Sequence, residues 1–216
     1  MKIASALGFA LLLFVAVNVP PIAVASLAHH FLHVSRTDVV PIVVGGMAAM
    51  ALLTICLFVF FGGMRFADFG FRASPLRYFI WALVLGIAFG VLSQLGANWM
   101  HDNDPAKMPG QSVMMIFFYV ALFGPVEEEI VFRGLLQSIL ASRLRNTALS
   151  AQAGTVAVVV VSVLFMLLHF QLGLFTAAGA FVAGLALGEI RRRSESLLPG
   201  ILCHIAINAA GIFVGS

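Results

Sequence analysis

The segment Gly124-Pro125-Val126-Glu127-Glu128-Glu129-Ile130-Val131-Phe132-Arg133-Gly134 sets three adjacent carboxylates inside an apolar stretch. Such residues are poor packing material, and at membrane depth they serve a site or a pathway. On a helix Glu129 and Arg133 are four apart and share a face, in the order that favours an ion pair, so Glu129 is expected to be neutralised. Glu128 points about 100° away from its neighbour and is free to face a cavity. Crowding and partial desolvation tune carboxylates toward general-base work, which makes Glu128 the candidate base. The same acids would also suit a helix start after Pro125 at a water interface, where negative charge complements the helix dipole.

Two further elements carry polar side chains in apolar surroundings. Phe165 and His169 share a helix face at the end of a second stretch, where a histidine can equally be an interfacial residue. His204 and Asn208 lie one turn apart on one face of the last stretch, and side chains so placed also hydrogen-bond helices together. Joined, these groups are the parts of a hydrolase: a carboxylate and a histidine to polarise water, and a histidine and an amide to hold an oxyanion. If the chain turns near Arg145 to Gln152, Glu128 and His169 lie at equal helical distances from that turn and reach similar heights. His204 fits less well, because it follows closely on the basic loop Arg191 to Arg193. Either residues 170–176 run irregularly or the preceding hairpin extends beyond the membrane.

The elements that must position these groups are transmembrane helices. Of 216 residues 62% are hydrophobic and 10% charged, with a mean hydropathy of +1.08, outside the balance of a soluble globular domain. Apolar stretches run at about Ile3 to Leu27, Val39 to Gly62, Tyr78 to Leu95, Val113 to Leu140, Thr155 to Leu168, Leu172 to Ile190 and Leu197 to Val214. An all-α, polytopic bundle of about seven spans is expected, the fourth broken near Pro125. Lys2, then Arg65, Arg72 and Arg77, then Arg143 and Arg145, then Arg191 to Arg193 fall on alternate loops. Arg36 with Asp38, and Asp102 and Asp104 with Lys107, fall on the others, so the N-terminus is expected in the cytoplasm. The net charge of +3 is then a topology signal, with no basic surface suited to nucleic acid. Lys2, the apolar stretch and Ala23-Val24-Ala25 also read as a secretory signal, but the stretch is long for one and the loop alternation needs it as a span. Cys56 and Cys203 lie inside spans and suggest no disulfide framework. No tandem repeat, phosphate loop or long linker interrupts residues 1–216, which read as one membrane domain.

The ordered set Glu128-Glu129-Ile130-Val131-Phe132-Arg133, Phe165-Met166-Leu167-Leu168-His169 and His204-Ile205-Ala206-Ile207-Asn208 resembles the CAAX protease and bacteriocin-processing family of intramembrane proteases, also called the Abi family. Any one motif is weak and the ordered set is specific; the resemblance covers about residues 113–211. The Phe66 to Arg72 segment is faintly similar to a short amphipathic stretch before the family core. The resemblance implies an intramembrane endopeptidase in which Glu128 and His169 activate water, His204 and Asn208 stabilise the tetrahedral intermediate, and Glu129 and Arg133 support the site. Glu127 is an extra acid outside the pattern. The family has also been described as metalloproteases, and Glu128, His169 and His204 are able in principle to bind zinc. Without His-Glu-x-x-His, and with Asn208 a poor zinc ligand, the metal-free mechanism is favoured and no cofactor is expected. The compact chain is most similar to bacterial relatives, so a bacterial plasma membrane, membrane lipid and a membrane-associated or lipidated peptide substrate are implied. The rival readings are a catalytically inactive scaffold or bacteriocin-immunity protein of the same fold and, with less support, a transporter using the acids as a proton relay, for which no inverted repeat is evident.

Overall fold

The computed structural model describes residues 2–100 and 117–215, and among these it is an all-helical bundle without strands. In chain order, α1 spans Ile3–Phe31 and α2 spans Arg36–Phe61, followed by a 3-10 turn at Phe66–Phe69 and α3 at Leu76–Met100. A continuous helix over 117–144, here α4, carries the acidic motif. Then come α5 at Ala153–Leu168, α6 at Leu174–Ser194 and α7 at Leu197–Gly215. Six of the seven are long and apolar enough to cross a membrane. The seventh, α4, is the one interrupted by glutamates, as the sequence leads one to expect. Residues 113–116, expected from the sequence to open this stretch, lie outside the described residues, as do Asp102, Asp104 and Lys107.

Large apolar side chains such as Leu12, Phe60, Trp81, Leu92 and Leu174 face outward all around the bundle. A water-soluble protein does not expose so much contiguous apolar surface; lipid tails cover it here. The protein is therefore an integral membrane protein. Its core is built where the motif helix is wrapped: Val131, Phe132, Leu135, Leu136, Ile139 and Leu140 of α4 pack against α1, α2 and α5.

Helix α7, which carries His204 and Asn208, packs most extensively on α3. The reason is local. Gly86 and Gly90, a Gly-x-x-x-Gly pair on the buried stripe of α3, lie against the carbonyls of Cys203 and Ile207, where any Cβ would collide. Without side chains between them the two backbones approach closely, a common solution where helix association cannot rely on the hydrophobic effect.

The level of His204 follows from how α6 and the start of α7 seat against α4 and α5. Gln137 donates to the carbonyl of Gly188 at 3.0 Å, and Arg191 donates to Ser138 Oγ at 3.3 Å. Arg192, in the last turn of α6, lies against Gly154 at the start of α5, so α6 ends near the level of the turn after α4. The chain then turns back, with Leu197 against Gly134 and Gly200 against Glu129, so α7 starts close to the height of the acids. At the other end, residues after His169 form a 3-10 turn at Phe170–Leu172, and Gly173 takes φ 114° to start α6. The irregular run expected after His169 is thus present at Phe170–Leu172 and Gly173.

The Phe66–Phe69 turn is a wedge under the α6 and α7 connection. Phe69 is fully buried against Phe58, Leu197 N–H donates to the Gly70 carbonyl, and Ser196 Oγ donates to the Arg72 carbonyl. The basic loops after α2, α4 and α6 thus gather at one end of the bundle. The N-terminus joins them there, Arg143 lying over the Phe9 ring.

Candidate active site

Helix α4 is not uniform around its acids. A π-helical stretch, Phe117–Phe123, leads into an α-helical Gly124–Glu128, and a second π stretch follows at Glu129–Leu136. π segments widen the helix and are found mostly at functional positions. Pro125 supplies a local reason for the first: it has no N–H, so it cannot donate to a carbonyl behind it. In the π register the partner of the Val120 carbonyl would be residue 125. Asn208 Nδ2 donates to that carbonyl instead, at 2.8 Å, so α7 completes a hydrogen bond that the proline leaves open.

One turn earlier on α7, His204 meets the acids. Glu129 and Arg133 are 0% and 1% exposed, with Arg133 Nη1 2.9 Å from Glu129 Oε1. The same oxygen receives His204 Nδ1 at 3.0 Å. A carboxylate already paired with a guanidinium can only accept here, so Nδ1 carries a proton and donates to it. Nε2 lies 3.4 Å from Glu128 Oε2. Glu128 is the more open of the two acids, its side chain 25% exposed against 0% for Glu129. The Glu129 and Arg133 pair expected from helical spacing is present.

Phe165 holds this group together from α5. Its ring packs edge-on to Phe132 at 5.0 Å and to His204 at 5.7 Å, and lies against His169 at 4.5 Å. The guanidinium of Arg133 sits 4.5 Å above it, which compensates for Nη atoms that find no well-directed hydrogen bond. Phe165 is a positioning residue that the search for polar chemistry passes over, although it is spelled out in the Phe-x-x-x-His motif. Gly200 is another: it stands one turn before His204, and a Cβ there would press on Glu129 Oε2.

His169 ends α5. Its Nδ1 is bonded to the Phe165 carbonyl at 2.9 Å, which leaves Nε2 as the free nitrogen. It joins the site through the Phe165 ring and makes no ion pair with Glu128; the histidine beside Glu128 is His204. Glu127 is buried, with Oε1 lacking a partner among the described residues. Among those residues no three His, Cys, Asp or Glu side chains are gathered so as to hold a metal ion. Glu128, His169 and His204 are not drawn together as one metal-holding group in this arrangement.

A carboxylate facing an imidazole nitrogen, with a buried acid fixing the ring from behind, can take a proton from water and return it elsewhere. Comparison with known proteins agrees with the motif resemblance. Residues 110–210 match the family described as type II CAAX prenyl endopeptidase Rce1-like. An uncharacterized 24.3 kDa protein of Escherichia coli is 29% identical over 104 residues, covering 48% of this chain. The match spans 45% of that relative's length. No solved structure matches the chain. Residues 110–210, the part that carries all three motifs, are thus similar to the Rce1-like family of CAAX prenyl endopeptidases.

Proposed function

We propose that the protein is an intramembrane endopeptidase that hydrolyses a peptide bond in or beside the membrane, with Glu128 as general base. The observation that carries this reading is the fixed His204 ring, tied through Nδ1 to the Glu129 and Arg133 pair while Nε2 faces Glu128 at 3.4 Å.

In the proposed reaction, Glu128 takes a proton from a water molecule as its oxygen adds to the scissile carbonyl carbon. The oxyanion is met by His204, protonated on Nε2 and stabilised as imidazolium by Glu129, and by the second N–H of Asn208. His169 Nε2 accepts a hydrogen bond that orients the water or the peptide. As the C–N bond breaks, the proton held by Glu128 passes to the leaving amine. The site lies about 14 Å along α4 from Gln137, that is, within peptide reach of the basic end of the bundle. With that end in the cytoplasm, as the loop charges favour, the site takes membrane-associated or lipidated peptides from the cytoplasmic side of a bacterial plasma membrane.

A scaffold of the same fold is favoured by one observation: Glu129 and Asn208 both spend hydrogen bonds on joining helices. Incubation of the purified protein with membrane-tethered peptides, read by mass spectrometry of new termini, separates the two. The endopeptidase reading expects cleavage that a chelator leaves unchanged and that Glu128→Gln lowers by roughly 100-fold or more. A scaffold cuts nothing and keeps its cellular phenotype in Glu128→Gln.

A further inference from the structure

At the basic end of the bundle, away from the acids, the α4 and α5 hairpin, the Phe66–Phe69 turn and the end of α6 enclose a cavity of about 390 Å³. Five arginines line it: Arg65, Arg72, Arg145, Arg191 and Arg192, against two acids, Asp68 and Glu195. The acids are already engaged, Asp68 by Arg65 at 3.3 Å and Glu195 by Arg72 at 2.6 Å. Arg192 is held by Glu189 at 2.6 Å. Among the described residues, Arg145 and Arg191 have no carboxylate within ion-pair distance.

Arg191 is the unusual member. It is only 8% exposed, yet it donates to two neutral oxygens, the Asp68 carbonyl at 3.1 Å and Ser138 Oγ at 3.3 Å. Its Nε is buried without an acceptor. A guanidinium taken out of water with only Glu195 nearby, itself paired with Arg72, is under-compensated, and an anion beside it in the cavity would offset its charge. Guanidinium forks match phosphate oxygens in geometry as well as charge. The apolar helices end here, and basic pockets at the ends of transmembrane helices take lipid phosphate headgroups.

From these contacts we infer that the cavity is a phosphate site, closed by Arg191 from inside and Arg145 from the rim, whose ligand is the phosphate of an anionic lipid headgroup or of a free anion. The inference does not depend on peptide cleavage by the Glu128 site. Native mass spectrometry and thermal unfolding of the full chain in neutral detergent test it, with phosphatidylglycerol, phosphatidylcholine and inorganic phosphate added separately. Phosphatidylglycerol retained over phosphatidylcholine, with binding about tenfold weaker in Arg145→Gln and in Arg191→Gln, supports a lipid-filled site. Inorganic phosphate that protects the protein and displaces the lipid supports the same site filled from water. Arg145 is exposed and its variant is expected to fold even if Arg191→Gln does not. Equal retention of both lipids together with no protection by phosphate, or binding unchanged in Arg145→Gln, overturns the inference.

Discussion

At the scale of single residues, the site rests on a buried charge pair and one aromatic ring. Glu129 and Arg133 are almost wholly excluded from solvent, and removing one partner strands the other. Arg133→Met is expected to cost about 3–5 kcal/mol, and the double variant Glu129→Gln with Arg133→Met less than that single change, in thermal or denaturant unfolding in detergent. Phe165 contacts Phe132, His169, His204 and Arg133 at once. Phe165→Ala should cost about 3–5 kcal/mol, while Phe165→Leu, which keeps most of the volume, should cost clearly less on the same assay. The pairing of Glu129 with Arg133 was legible from their spacing of one turn, because that contact lies within one helix. The pairing of His204 with Glu128 was not: it depends on where the start of α7 seats against α4, with Leu197 on Gly134 and Gly200 on Glu129, a long-range property that no local pattern encodes.

At the scale of elements, the break in α4 was legible from Gly124 and Pro125, but not its form. The sequence allowed two helical pieces; the chain stays continuous by adopting π register on both sides of Gly124–Glu128. Burial explains the outcome, since an open break would leave several backbone groups unpaired in lipid, whereas one carbonyl is met by Asn208. A double-mutant cycle follows from this. Pro125→Ala restores a donor for the Val120 carbonyl, so Asn208→Ala should destabilise the Pro125→Ala background by about 1 kcal/mol less than the wild type. Equal costs in both backgrounds, read by thermal unfolding, would separate Asn208 from the proline. The Gly86 and Gly90 contact with α7 was overlooked in the sequence, although glycines four apart within an apolar helix are a recognisable packing signal.

At the scale of the whole molecule, composition alone determined the helical membrane class, because no soluble core accommodates so large an apolar fraction. The alternation of basic loops has a structural counterpart: the loops after α2, α4 and α6 line one cavity. If that end is cytoplasmic, a cysteine introduced at Ser150 is labelled by an impermeant thiol reagent only after the cell is opened, and one at Ser35 is labelled in intact cells. The native Cys56 and Cys203 lie within helices assigned to the membrane and serve as the background. The reverse pattern would turn the molecule over and move the proposed site to the outer side.

The central claim is that Glu128 and His204 act as one catalytic unit, and a kinetic cycle on membrane-tethered peptide cleavage tests it most directly. Glu128→Gln, His204→Gln and the double variant are compared after each is shown to unfold at a temperature close to wild type. Groups that share one proton-transfer function are strongly non-additive. The account predicts that each single change removes most of the activity and that the double variant is no slower than the worse single one. Wild-type cleavage in either folded single variant, or losses that multiply in the double, would contradict it.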